Sequence, residues 1–185
     1  MDSLSQFALD QILVNAVQDL VGPLKSIMAT LCYIASGCMA LVFCVQMVKK
    51  SQDGPRGPGA MAMVMALVLS GVFLGVGSMM GSFGGTFFGD GVRAQSAALS
   101  YSLGTSQLNT QANNVINAIL SLGEVVGYIA FIRGWFILNA CANGNPNATQ
   151  FAGWVHIWGG VFAVYAGNLL NSAQSSFGIN VVNFQ

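Results

Sequence analysis

Residues 26–48 read SIMATLCYIASGCMALVFCVQMV, an apolar run without a single charge, closed by Lys49-Lys50. About 20 such residues, rising 1.5 Å each, carry a helix across the hydrocarbon core of a bilayer, whereas 10 to 14 suit a core helix of a soluble protein. Three more stretches read the same way. Residues 60–80 are uncharged, residues 115–138 are interrupted by Glu124 and Arg133, and residues 151–170 contain His156. The apolar runs are continuous and do not alternate, which argues against a β-barrel. The expected fold is therefore all-α: a polytopic membrane protein with four transmembrane helices as two hairpins, plus an amino-terminal amphipathic helix.

Composition agrees. Hydrophobic residues make up 54% of the 185, and charged residues only 6%, six basic and six acidic. An ordinary soluble domain is about 25% charged, and its surface needs most of that. So apolar a chain is not intrinsically disordered. Its zero formal net charge leaves no electrostatic footprint for nucleic acid.

Four regions follow: residues 1–22, 23–85, 86–112 and 113–185. In the first, Ala8, Leu9, Ile12, Leu13, Ala16, Val17, Leu20 and Val21 share one helical face, with Asp10, Gln11, Asn15, Gln18 and Asp19 opposite. Gly22-Pro23 is expected to end that helix. Its polar face is acidic, which favours a protein partner over a lipid surface. No Lys or Arg precedes Lys25, so no cleaved secretory signal is expected. The first hairpin turns at residues 49–59, where two prolines and three glycines forbid helix. Lys49, Lys50 and Arg56 lie in that loop, and positive-inside places it in the cytoplasm with both termini on the far side. The second hairpin turns at residues 139–150. Segment 86–112 is polar but nearly uncharged, rich in Ser, Gln, Asn and Thr. It reads as a solvated linker or as helix extensions bordering a wet cavity.

The hairpins echo each other. Tyr33-Ile34-Ala35 matches Tyr128-Ile129-Ala130, and Gly71-Val72-Phe73 matches Gly160-Val161-Phe162. The echo is either a duplication in parallel orientation or chance in Gly- and Ala-rich text.

Glycine spacing gives the clearest assembly signal. Gly71 and Gly75 are four apart, as are Gly77, Gly81 and Gly85, while Gly159, Gly160 and Gly167 flank Ala163. Small residues four apart let helix backbones approach closely in lipid, within a hairpin or between copies of the chain. Arg133 and His156 sit at similar distances from the second loop, so an antiparallel hairpin sets them at similar depth. Arg133 is read as a snorkelling or paired cation, with Trp135, Trp154 and Trp158 as interfacial aromatics. Glu124 is nine residues from Arg133, on the opposite face about 13 Å away. It is expected to face a lumen or another subunit. Cys32, Cys38, Cys44 and Cys141 form no C-x-x-C pair and read as buried free thiols. No metal site, nucleophile elbow or P-loop occurs, so neither an enzyme nor a catalytic residue is expected. No cofactor is called for beyond bound phospholipid.

Ile129-Ala130-Phe131-Ile132-Arg133-Gly134-Trp135-Phe136-Ile137-Leu138, a polar Asn/Pro loop, then His156-Ile157-Trp158-Gly159-Gly160-Val161 resemble the DotE/IcmC proteins. These are inner-membrane components of type IVB secretion systems, with relatives in conjugative plasmids. The resemblance covers residues 120–180; over the first hairpin it rests on span number and loop placement alone. It implies a bacterial inner-membrane subunit of an apparatus that moves protein or DNA–protein substrates across the envelope. The partners it implies are other secretion or conjugation subunits, membrane lipid and, in transit, protein or single-stranded DNA; the glycine faces add further copies of the chain, a homo-oligomer. Arg133, Trp135, His156, Gly159 and Gly160 match the family pattern as structural positions. A pilin of an extracellular conjugative pilus, its basic loop lining the lumen, is the alternative function. A small-solute transporter is a third.

Overall fold

The structure, a computed structural model, describes residues 2–89 and 107–177. Most of the polar connector, residues 90–106, and the tail from 178 onward lie outside the described residues. All regular structure among those described is helical: α1 (Asp2–Asp53), a 3-10 turn (Gly54–Arg56), α2 (Ala60–Leu74), α3 (Val76–Phe88), α4 (Gln107–Ala142), α5 (Gln150–Val164) and α6 (Ala166–Phe177). The all-α expectation holds. Two helices are long and apolar enough to cross a membrane, over Asp19–Arg56 and Ala118–Ala142. A third crossing is reached if α2 and α3 count as one bent span.

Three differences from the expected layout have local causes. First, α1 does not end at Gly22-Pro23; Pro23 lies inside it. Proline removes one backbone donor and costs roughly 3 kcal/mol in a helix interior, but an apolar environment penalises every further unsatisfied backbone group and so resists a complete break. Of the expected amphipathic face, Val17 and Val21 are buried while Ile12, Ala16 and Leu20 are exposed; the Ala8, Leu9 and Leu13 side chains lie outside the described residues. Second, residues 60–80 do not form one straight helix. The chain bends 89° between α2 and α3, at Gly75, whose backbone (φ −123°, ψ 39°) has left helical values. Third, residues 151–170 divide at Tyr165. Helical bonding persists there, from Tyr165 N–H to the Val161 carbonyl (3.0 Å) and from Leu169 N–H to the Tyr165 carbonyl (3.0 Å). The polar α6, with Asn168, Asn171, Ser172 and Gln174, keeps this path from qualifying as an apolar span on length and composition.

The chain divides into two compact units. The first comprises Met1–Ser26, Gly81–Tyr128 and Val161–Gln185; the second comprises Ile27–Met80 and Ile129–Gly160. In the second unit the loop-side parts of α1, α2, α4 and α5 pack together. Leu69, Val72 and Phe73 of α2, Phe131 and Leu138 of α4, and Ile157 of α5 form its buried core. Phe73 meets Phe136 at 5.1 Å between ring centroids. Ser36 Oγ of α1 donates to the Ser70 carbonyl of α2 at 2.8 Å. Ser36→Ala should cost about 0.6 kcal/mol, the average for such interhelical bonds in lipid; reversible unfolding in mixed micelles measures it.

Both turns behave as their sequences dictate. Asp53 ends α1, the Gly57 amide bonds back to the Gly54 carbonyl (3.3 Å), and Lys49 and Arg56 are exposed. In the second loop Gly144 takes φ 78°, a left-handed value that favours glycine. Asn145 Oδ1 accepts from the Asn147 amide, and Thr149 Oγ1 accepts from the Ala152 amide at 3.3 Å, capping α5.

Candidate functional site: a buried ion pair and a close-packed helix pair

In the first unit, the inward stripe of α4 runs Ala118, Ser121, Glu124 and Val125, every one buried. A carboxylate on that stripe is stable in an apolar bundle only beside a cation. Lys25 of α1 supplies it: its ammonium lies 2.7 Å from Glu124 Oε1, with Glu124 only 1% exposed and Lys25 24%. The rings of Tyr128 and Tyr165 lie within electrostatic reach of the same carboxylate. The expectation that Glu124 faces a lumen or another subunit is therefore corrected. Glu124 points inward and ties α4 to α1. In the sequence Lys25 registers only as a stray charge, because a partner 99 positions away leaves no local trace.

Beside this pair, α3 approaches Tyr165 closely. A Cβ on Gly84 would lie 2.3 Å from the Tyr165 ring, so any larger residue requires that ring to move. Phe88 lies tilted against the same ring at 5.9 Å between centroids, and Phe87 meets Phe162 at 5.8 Å.

The second unit holds a close contact of helix backbone on helix backbone. A Cβ on Gly134 would lie 2.6 Å from Ile157 Cγ1 and 2.8 Å from both the Gly153 carbonyl oxygen and the Ile157 amide nitrogen. One on Gly153 would strike Leu138 at 2.5 Å. Backbone therefore lies directly on backbone between α4 and α5.

The glycines singled out by four-residue spacing fall elsewhere. Gly71, Gly81 and Gly159 are exposed with open space where a Cβ would stand; Gly75 lies at the bend with only the Gly71 carbonyl oxygen near, at 3.9 Å. Gly160 and Gly167 are buried. Gly127 and Gly134 on α4, and Gly153 on α5, are buried as well.

The remaining polar positions separate. Arg133 is exposed, on the face of α4 opposite Glu124, as their nine-residue spacing requires. His156 turns back on its own helix, donating from Nδ1 to the Ala152 carbonyl at 2.8 Å, so the two do not pair. Trp154 and Trp158 stack at 6.5 Å. Trp135 departs from its expected interfacial place: it is 8% exposed, edge-on to Phe131, because the same stripe that carries Gly134 turns it inward. Of the cysteines Cys32 alone is fully buried, while Cys38 and Cys44 are exposed. Six residues turn a helix by about 240°, so the three cannot all face inward. Among the described residues no group of His, Cys, Asp and Glu could hold a metal ion.

Around Arg133 the surface is apolar. Leu31, Cys32, Phe73, Ile129, Ile132 and Phe136 wall a groove of about 440 Å³ that Arg133 also lines. Among the described residues Arg133 has no carboxylate partner. The chain matches no protein-family model, no curated protein and no solved structure.

Proposed function

We propose that the chain is an integral membrane subunit of a type IVB secretion or conjugation apparatus and contributes to its envelope-spanning assembly. One observation carries the reading. The two sequence blocks that resemble the DotE/IcmC proteins are the blocks that meet: Gly134 of the Ile-Arg-Gly-Trp run lies against Ile157 of the His-Ile-Trp-Gly-Gly run. A motif whose halves form one helix contact is a structural signature, which suits an assembly component without catalytic chemistry. In this reading α1, the bent α2–α3 pair, α4 and the α5–α6 path make four passes as two hairpins. Lys49, Lys50 and Arg56 face the cytoplasm, and the termini lie in the periplasm.

The apolar outer faces support the assembly role. Leu31, Ile34 and Leu41 of α1 and Leu67 and Leu74 of α2 are all more than half exposed, surface that lipid or neighbouring subunits must cover. Gly71 and Gly159 lie open on such surfaces and offer close approach to a second copy. Gly71→Leu should leave insertion and the single-chain fold intact while lowering the yield of the native complex at least severalfold, read by blue-native electrophoresis of solubilised inner membrane. Complexes at wild-type yield would remove Gly71 from the interface.

Isolation of the tagged chain from donor cells tests the function. Co-isolation with other apparatus subunits from the inner membrane, and loss of protein or plasmid transfer on deletion, are expected. Recovery of the chain in sheared extracellular filaments would move the reading to a pilin. Solute transport by the purified chain alone in liposomes would move it to a carrier.

A further inference from the structure

Arg133 lies nine residues, about 13.5 Å of helix rise, inside the loop end of the apolar stretch Ala118–Ala142. It is three residues from the centre of that stretch. Its guanidinium is a cation. In hydrocarbon it demands a counter-charge. Among the described residues none stands beside it. Of its acids, Glu124 is held by Lys25 on the opposite face of α4, and Asp19 stands at the far end of the apolar stretch Asp19–Arg56. Asp53 lies at the loop end of α1. A second copy would bring the same six acids, so it cannot complete the site at this depth either.

The surroundings say what kind of molecule can. The groove walls are apolar, and Leu31, Ile129 and Phe136 line it while themselves 40–59% exposed. Such a wall accepts the ridge of another apolar helix, and the cation at its edge requires an anion carried on that helix. We propose that this groove seats a transmembrane helix from a different subunit, one bearing an Asp or Glu near mid-span, whose carboxylate pairs with Arg133. This inference deepens the assembly-subunit reading and rests on it, by giving the chemistry of one neighbour.

A binary assay tests it without any secretion readout. The full chain, reconstituted in phosphatidylcholine vesicles, is titrated with labelled leucine helices of bilayer-spanning length that carry one central Asp, Asn or Leu. Energy transfer reads association. The Asp helix should bind about tenfold more tightly than the Asn and Leu helices. Arg133→Gln should erase that preference while leaving the tryptophan spectrum unchanged. Leu31→Trp, which fills the groove and keeps the charge, should weaken all three helices. Equal binding of Asp and Asn helices, or a preference that survives Arg133→Gln, overturns the proposal. So does an anionic phospholipid that remains on the wild-type chain through purification, is lost from Arg133→Gln, and abolishes the Asp preference: the groove is then a lipid site. Because the assay involves no apparatus, its failure leaves the secretion reading standing. A chain that passes it yet is dispensable for transfer keeps the groove and loses the apparatus.

Discussion

Gly134→Leu should separate α4 from α5 and cost more stability than Gly134→Ala. Even the first added carbon meets the Gly153 carbonyl oxygen and the Ile157 amide nitrogen at 2.8 Å. Both are backbone atoms, so no rotamer change relieves the clash and the helices themselves must move. Overpacking a well-filled interior costs roughly 1–3 kcal/mol, occasionally more. Gly134→Ala belongs within that range and Gly134→Leu at or beyond its upper end. Trp135, Trp154 and Trp158 lie on the two helices involved, so their fluorescence during unfolding in mixed micelles reports the change directly. Gly71→Ala is the matched control. With open space around its Cβ it should be neutral or gain up to about 1 kcal/mol from helix propensity. Equal behaviour of Gly134→Ala and Gly71→Ala would refute the close approach.

The ion pair gives the second large effect. Lys25→Met leaves the Glu124 carboxylate 1% exposed and without its cation. Breaking one side of a buried pair costs roughly 3–5 kcal/mol, because the remaining charge is uncompensated. The partial exposure of Lys25 places this case toward the lower end. Replacing both, Lys25→Met with Glu124→Leu, should recover most of the loss, since well-packed apolar substitutes for a buried pair are often neutral. A double variant as unstable as Lys25→Met alone would show that the two residues are not energetically coupled. The rescue matters for function as well. If the stable double variant still fails to assemble or to support transfer, the pair has a role beyond holding α1 to α4.

Much of the fold was legible in the chain. The absence of charge across residues 26–48 and 60–80, and the Pro/Gly-rich turn between them, are local properties, and local properties decide whether a segment is helical and whether lipid can surround it. The opposite faces of Glu124 and Arg133 were legible for the same reason, since nine residues of helix fix the angle between them. Pro23 was misread because the rule that proline ends helices is weighed against water; an apolar environment makes stopping more costly than the one lost bond. The bend at Gly75 was hidden because glycine at four-residue spacing signals close packing and chain reversal equally well.

The candidate sites divide along the same line. Sequence alone determined that this chain is helical, that lipid suits its apolar helices, and that a few ionisable groups stand where ionisable groups are costly. Only the tertiary structure decided which of them is compensated. It matched Lys25 to Glu124 across 99 positions, left Arg133 facing an apolar groove, and chose Gly134 and Gly153 over the glycines with the more suggestive spacing. A side chain's solvation is set by what folds against it, and two segments distant in the chain carry no mark of each other until their helices are packed.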